Sequence, residues 1–404
     1  MKIFAKNSLA DYIKKIWVLL VEAFGSFQKN NDLTAASSLA FSAMLALIPA
    51  LFFFTFVLSG VVGSSQEAIA RTQELLAEVL PSYGDEILRE VRALSAHRKT
   101  MGIVNLVVLL WMISPLVSGM RSALGVVFRK RPKRHFVLQK LLDVSITAVF
   151  LLGLSAVAVA GVLMAVLEKS GHLGILPGYA RSLAFFAVVT GVVFALYVIF
   201  SPRMKFKHII AGALTTSVLW SVMRPAFTLF LTYNPGYGVA FGSFKSLFIV
   251  IIWIYYSLAV FLFGSEVAAN LHRKDAVFVR RLMEGRGGVP EAVLRRFVIS
   301  FDPGDVIFLE GDNGSEMYSV RKGNVSIRKG DKEIALIGEG SFFGEMSFLL
   351  GMPRSATAVA AEETELIVIS NHTVGTLMNE FPEFVLRMLR EMAARLRETN
   401  RYVS

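Results

Sequence analysis

Two charged residues near the end of the chain, Glu345 and Arg354, have a spacing that suits a sugar phosphate. Glu345 follows Gly344, and Arg354 comes nine residues later, directly before the small residues Ser355 and Ala356. An arginine fork binds phosphate through two parallel N–H groups, and small neighbours let backbone N–H groups approach the anion. A carboxylate on the same loop can accept a hydrogen bond from a sugar hydroxyl. The segment predicts a sugar-phosphate pocket.

The chain ahead of this pocket is too apolar for an ordinary soluble protein, because 54% of its 404 residues are hydrophobic. The net charge is +11, and the basic excess lies wholly in residues 1–288, with 29 Lys and Arg against 14 Asp and Glu. Such an excess in the apolar part indicates residues that set the membrane topology rather than residues that bind nucleic acid. The chain has no cysteine, which excludes disulfides, Cys-ligated zinc and thiol catalysis.

Six apolar runs reach or approach the roughly 20 residues that a helix needs to cross a bilayer. Most contain Gly, Ala or Ser at intervals, which allows close helix packing in lipid. The sequence therefore predicts an α-helical polytopic membrane domain with six transmembrane helices. The six runs are 35–62, 102–120, 141–167, 182–201, 209–233 and 244–268.

The loops between these runs differ in charge. Loop 121–140 holds seven Lys and Arg and no acidic residue, and loop 202–208 holds three Lys and Arg. The alternate loops 168–181 and 234–243 carry few basic residues. Because Lys and Arg accumulate in cytoplasmic loops, we expect both termini and the two basic loops to be cytoplasmic.

The sequence pattern changes after a Gly-rich linker, from long apolar runs to short β-rich ones. Short β-rich runs, such as Val306–Leu309, Met317–Val320 and Val325–Arg328, alternate with turn residues, which predicts a β-barrel or jelly roll with flanking helices. The last helix is expected over 383–399. The predicted divisions are an amphipathic cytoplasmic segment at the membrane face (1–34), the membrane domain (35–275), the linker (276–290) and the C-terminal domain (291–404).

Residues 291–399 resemble a cyclic-nucleotide-binding domain. The resemblance rests on the turn set at 301–305 and 310–312, on Gly323-Asn324-Val325 and on the segment from Phe343 to Ala360. It implies that Glu345 binds the ribose 2′-hydroxyl and Arg354 the cyclic phosphate. The backbone of Gly344, Ser355 and Ala356 would line the same pocket. The resemblance implies a cyclic nucleotide as ligand and favours cyclic AMP over cyclic GMP through Ser355 or Thr357, but the sequence leaves the base open.

Residues 10–275 resemble the BrkB/YihY family of six-span inner-membrane proteins. The matching segments are Asp32–Ala36 with Ile48-Pro49, Gly212–Leu214, Tyr237-Gly238 and Gly264–Ala269. The resemblance implies a multi-pass protein of the bacterial plasma (inner) membrane with a transport-like role and an unsettled cargo. The family was formerly labelled a ribonuclease, which the residues do not support. One departure is Ser114-Pro115, inside the second apolar run.

Three ionisable residues in the apolar part form a candidate membrane site, namely Arg224, Lys245 and Glu266. Intramembrane charges are functional candidates by default, and Pro225 frees a backbone carbonyl beside Arg224. The alternative for Lys245 and Glu266 is a snorkelling side chain or a structural ion pair.

The sequence shows no catalytic constellation and no metal site. The six histidines include no pair at helical i, i+3 or i, i+4 spacing, and no serine lies in a G-x-S-x-G motif. The basic run 129–135 is expected to anchor topology rather than bind nucleic acid. Three hypotheses follow: a non-enzymatic, transport-like protein regulated by cyclic nucleotide, a nucleotide-responsive scaffold that transports nothing, and, least favoured, a ribonuclease. The expected partners are the lipid bilayer and the nucleotide, and homo-oligomerisation is left open.

Overall fold

The computed structural model describes residues 9–62, 102–129, 146–147, 178–202, 204–234, 245–381, 383, 386, 388–390, 392–394 and 397. The chain divides into two compact units. One unit is Ala23–His272, and the other combines Met1–Glu22 with Arg273–Ser404. The segment boundaries expected from the sequence stay predictions.

Long helices form the first unit. Five of the six apolar runs coincide with helices, because a helix satisfies the backbone N–H and C=O groups of an apolar segment within the segment itself. The sixth run, 141–167, lies outside the described residues except for Ile146 and Thr147. The long helices are α1 (Leu9–Lys29), of which only the part from Ala23 onward belongs to this unit, α2 (Asp32–Val62), α3 (Gly102–Val127), α4 (Gly178–Phe200), α5 (Phe206–Tyr233) and α6 (Lys245–His272).

Two of the described helical stretches, Phe206–Tyr233 and Leu247–His272, are long and apolar enough to cross a membrane by length and composition. Asp32–Leu47 and Phe186–Phe200 are apolar but shorter. The expected helical region with apolar helices is confirmed, whereas the count of six spans stays a prediction. Pro115 lies inside α3, which continues on both sides of it.

Small residues bring α5 and α6 together, as the intervals of Gly, Ala and Ser predict. A Cβ at Gly212 would lie 2.5 Å from the carbonyl oxygen of Gly264. A Cβ at Gly264 would lie 2.8 Å from the hydroxyl of Tyr197 on α4. That buried hydroxyl hydrogen-bonds to Thr216 Oγ1 at 2.8 Å and donates to the carbonyl oxygen of Phe261. The three helices therefore meet at a tightly packed polar contact.

The second unit contains two four-stranded antiparallel sheets, in the orders β1-β8-β3-β6 and β2-β7-β4-β5. Buried Val320, Val325, Phe343, Ala358 and Leu366 form a core to which both sheets contribute. The expected antiparallel β domain with flanking helices is confirmed. The strands are β1 (Val298–Phe301), β2 (Val306–Phe308), β3 (Glu316–Lys322), β4 (Val325–Lys329), β5 (Lys332–Ile337), β6 (Phe342–Phe343), β7 (Thr357–Ala360) and β8 (Thr364–Ser370).

Short helices accompany this β domain. Between 383 and 397, where a closing helix is expected, every described residue is helical, and Met388 is buried while Leu389 is exposed. The other helices are α7 (Lys274–Met283), α8 (Glu291–Phe297), α9 (Glu345–Leu350) and α10 (Asn371–Glu380).

Candidate functional site

The backbone of Arg354 is fixed by a turn that comes earlier in the chain. Its N–H donates to the carbonyl oxygen of Asp312 at 2.8 Å, and its carbonyl oxygen accepts from the N–H of Gly311 at 2.8 Å. The carboxylate of Asp312 closes the turn by accepting from the N–H of Leu309 at 2.8 Å. Strand β2 leads into this turn and pairs with β7, which follows Arg354. Strand pairing therefore brings the two loops together.

The side chain of Arg354 points into the domain, with only 4% of the residue exposed. Nη1 donates to the carbonyl oxygen of Gly344 at 2.9 Å, and Nη2 donates to the carbonyl oxygen of Glu316 at 2.8 Å. The Nε–H is buried and has no acceptor among the described residues. Because a guanidinium is always charged, the site holds a permanent positive charge with an unused donor.

Aromatic rings support the guanidinium of Arg354. Its Cζ lies 4.2 Å from the ring centre of Phe308 and 5.7 Å from that of Tyr318. The Tyr318 ring in turn stacks on Phe343 with centroids 5.3 Å apart. Burial raises the pKa of the Tyr318 hydroxyl above its ordinary value, so the phenol is neutral beside the cation. Cation–π contact with these rings stabilises the charge within the domain.

Two glycines leave room for the Arg354 side chain. Gly344 has a φ of 75°, which is unfavourable for other residues, and a Cβ there would lie 2.5 Å from Arg354 Nη1. A Cβ on Gly314 would overlap the guanidinium from another loop. Ser347 Oγ donates to the carbonyl oxygen of Gly314 at 2.8 Å, which ties that loop to α9.

The remaining predicted pocket residues lie in the same segment. Glu345 is the first residue of α9 and is half-buried. Ser355 is exposed and Ala356 is buried. The hydroxyl oxygen of Thr357 accepts from the N–H of Glu310 at 3.0 Å, so it already serves as a backbone acceptor. Sequence reasoning missed the contributions of Phe308, on strand β2, and of Gly314, in another loop, because neither residue carries a spacing signal.

The candidate membrane residues do not form one site. Lys245 and Glu266 lie on α6 at opposite ends, about 30 Å apart at 1.5 Å per residue. Arg224 is half-buried near the middle of α5, and Phe227 on the next turn contacts Trp253 with ring centroids 5.1 Å apart.

Glu266 belongs to a buried polar cluster that joins α1 to α6. Its side chain is fully buried and accepts hydrogen bonds from the Nδ2 groups of Asn30 and Asn270. Asn270 Nδ2 also lies 3.3 Å from Ser26 Oγ. The Glu266 side chain therefore does not snorkel towards water. The sequence could not identify Asn30 as the partner of Glu266, because the two residues lie at opposite ends of the membrane region in the sequence.

Two histidines also come close, with the rings of His208 and His272 having centroids 5.8 Å apart. They lie on different helices, so helical spacing could not indicate the pair. Within the described part of the chain, no group of three or more His, Cys, Asp or Glu side chains is arranged to hold a metal ion.

Comparisons with known proteins assign both regions. Residues 23–284 match the family model described as "Virulence factor BrkB". The chain belongs to the BrkB family. Residues 298–381 match the family model described as "Cyclic nucleotide-binding domain", so the resemblances drawn from the sequence are confirmed and this BrkB-family protein is a membrane protein with a cyclic-nucleotide-binding domain.

Relatives in the BrkB family are named as membrane proteins. A UPF0761 membrane protein of Chromohalobacter salexigens is 25% identical over 258 residues, which is 62% of this chain and 62% of that protein's length. One from Glaesserella parasuis is 28% identical over 218 residues, or 52% of this chain and 77% of that protein. A crystal structure of a cyclic nucleotide-binding domain from Methylobacillus flagellatus is 23% identical, covers 32% of this chain and 83% of that one, and has a TM-score of 0.26.

Proposed function

We propose that the C-terminal domain binds a cyclic nucleotide, with Arg354 holding the cyclic phosphate and Glu345 the ribose 2′-hydroxyl. The observation that carries this proposal is the buried Nε–H of Arg354, which has no acceptor in the described structure. A buried donor without a partner costs about 1–3 kcal/mol. A phosphate oxygen accepts that N–H and offsets the buried charge at once.

Adenine is the proposed base in preference to guanine. Guanine differs in carrying a 2-amino donor that needs an acceptor. The hydroxyl oxygen of Thr357, three residues after Arg354, already accepts from the N–H of Glu310 and is therefore less available to that donor.

We further propose that nucleotide binding regulates the membrane domain, which spans the inner membrane six times and performs a transport-like, non-enzymatic role. The basic loops 121–140 and 202–208 support cytoplasmic termini, where a nucleotide messenger is available to the pocket. Regulation requires that two states of the membrane domain differ in their affinity for the ligand. The alternative is a nucleotide-responsive scaffold that moves no solute.

Calorimetric titration of the full chain in detergent tests the binding step. Cyclic AMP should bind more tightly than cyclic GMP, and cyclic dinucleotides should give no heat. Arg354→Ala should abolish the heat, whereas Arg321→Ala, which removes a half-exposed arginine paired with Glu365 on the same sheet, should leave it unchanged. Absence of heat with every nucleotide would overturn the proposal.

Reconstitution into liposomes distinguishes the transport hypothesis from the scaffold hypothesis. Proteoliposomes loaded with pH-sensitive and potential-sensitive dyes, and a parallel assay of fluorescent-lipid exchange between leaflets, should show a flux that changes when cyclic AMP is added. The response should disappear in Arg354→Ala and persist in Arg321→Ala. Unchanged permeability in all three assays would favour the scaffold.

A further inference from the structure

Helix α1 has two different faces. Val18, Leu19, Ala23 and Phe27 are buried. On another side, a set of apolar residues that we name the Trp17 stripe is exposed at intervals of four, four and three residues, which places them along one face. The stripe comprises Ile13 (58% exposed), Trp17 (66%), Val21 (47%) and Phe24 (53%).

Ion pairs fix the rotation of α1 about its axis. The carboxylate of Glu22, about 140° around the helix from Trp17 at 3.6 residues per turn, accepts from Arg281 Nη1 at 2.6 Å and also from Arg280. These arginines belong to α7, and Arg280 also lies over the ring of Phe381 at 4.2 Å. With its polar side held in this way, α1 cannot turn the Trp17 stripe inward.

The C-terminal end of α1 is held beside apolar helices. Only Asn30 and Asn31 separate α1 from α2, and Asn31 adopts a φ of 55° in that turn. Asn30 donates to Glu266 near the end of α6, and Asn270 on the same helix lies next to Ser26 of α1. Phe24, the last residue of the stripe, therefore lies two residues before Ser26, which contacts α6 through Asn270.

We infer that the Trp17 stripe docks on the anionic cytoplasmic surface of the bilayer. Tryptophan and phenylalanine on one side of a basic amphipathic helix are typical of helices that lie in the interface. Exposed Lys14 borders the stripe, and a lysine near an anionic membrane is attracted to its surface. Glu22 does not oppose this attraction, because two arginines offset its charge. The inference does not depend on nucleotide binding.

Single-cysteine spin labelling of the full chain tests it, because the protein has no native cysteine. Nitroxides at Val21→Cys and Phe24→Cys would be measured in nanodiscs with about 30% anionic phospholipid, a composition that gives the negative surface potential the stripe needs. Val18→Cys is the matched buried control, since Val18 is 4% exposed on the same helix. Lys329→Cys, exposed at the end of β4, is the aqueous control.

The stripe labels should collide with dissolved oxygen and be shielded from a water-soluble nickel chelate. Lys14→Glu should raise the nickel accessibility of the stripe labels several-fold. Without that substitution, nanodiscs made only of zwitterionic lipid should raise it as well. Nickel accessibility equal to that of the Lys329 label would place the stripe in water and overturn the inference. Shielding from both reagents, as at Val18, would mean that protein covers the stripe and would overturn it as well.

Discussion

The guanidinium carbon of Arg354 lies 4.2 Å from the centre of the Phe308 ring, so the charged group rests on an aromatic surface inside the C-terminal domain. Phe308 ends β2 and Arg354 lies in the loop before β7, so the pairing of β2 with β7 brings the two residues together. The ring and the carbonyl oxygens of Gly344 and Glu316 hold the guanidinium in one orientation. The Nε–H is left without an acceptor among the described residues.

Arg354→Lys tests the shape of the cation rather than its charge. Lysine keeps the positive charge but lacks the planar fork and the Nε donor, so one charge-assisted hydrogen bond, about 1.5–3 kcal/mol, is lost. We expect cyclic AMP affinity in calorimetry to fall about 10- to 100-fold, since each 1.4 kcal/mol is tenfold. Arg321→Lys is the matched control and should bind normally. Equal affinity of Arg354→Lys and the wild type would show that the fork is not used.

Gly344→Ala should disturb the pocket through a contact as well as through the backbone. Both Gly344 and Gly351 have positive φ, at 75° and 66°. Each alanine therefore costs about 1–2 kcal/mol of backbone strain. Only the new Cβ at 344 meets Arg354, at 2.5 Å from Nη1, whereas one at 351 meets no described heavy atom within 4 Å. Gly344→Ala should lower both the melting temperature and nucleotide affinity, and Gly351→Ala the melting temperature alone. Similar affinities for the two variants would contradict this account.

Gly212→Ala should weaken the contact between α5 and α6. Its Cβ would lie 2.5 Å from the carbonyl oxygen of Gly264 and 2.7 Å from the Cβ of Ala268, so the helices must separate. Gly191→Ala on α4 is the matched control, because its Cβ would meet no described heavy atom within 4 Å. There, alanine should stabilise the helix by about 0.5–1 kcal/mol. Thermal unfolding in detergent should show a lower melting temperature for Gly212→Ala and a higher one for Gly191→Ala. Shifts in the same direction would refute the packing argument.

Glu266→Gln should destabilise the membrane unit without exposing new apolar surface. The carboxylate accepts from Asn30 and Asn270 in a fully buried position, and loss of a hydrogen bond to a charged group costs about 1.5–3 kcal/mol. Glu291→Gln, which alters an exposed pair with Arg295, should change stability by no more than about 0.5 kcal/mol. Unfolding in detergent measures both, and an unchanged Glu266→Gln melting temperature would argue against a structural role for the cluster.

The sequence predicted those parts of the site that are local in the chain. Gly344, Glu345 and Arg354 fall within one short segment, so their spacing alone indicates a sugar-phosphate pocket, and the runs around 306–309, 317–320 and 325–328 became β2, β3 and β4. Phe308 could not be assigned to Arg354, because their contact depends on strand pairing rather than on spacing.

The buried cluster around Glu266 shows the same limit in the helical unit. Apolar periodicity locates α6 but does not identify which helix supplies a partner to its buried carboxylate. Asn30 reaches Glu266 across 236 positions of the chain. Such a contact depends on the helix arrangement, which hydropathy does not encode.

The pair Gly212 and Gly264 has a mechanical consequence for the membrane unit. With no side chains between them, the α5 and α6 backbones interlock at a point where neither helix can rotate about its axis without a clash. Tyr197 anchors α4 to the same point through Thr216 and Phe261. Among the described helices, a rearrangement within this unit is therefore expected to carry α4, α5 and α6 as one body, which leaves α2 and α3 as the described helices against which that body can slide.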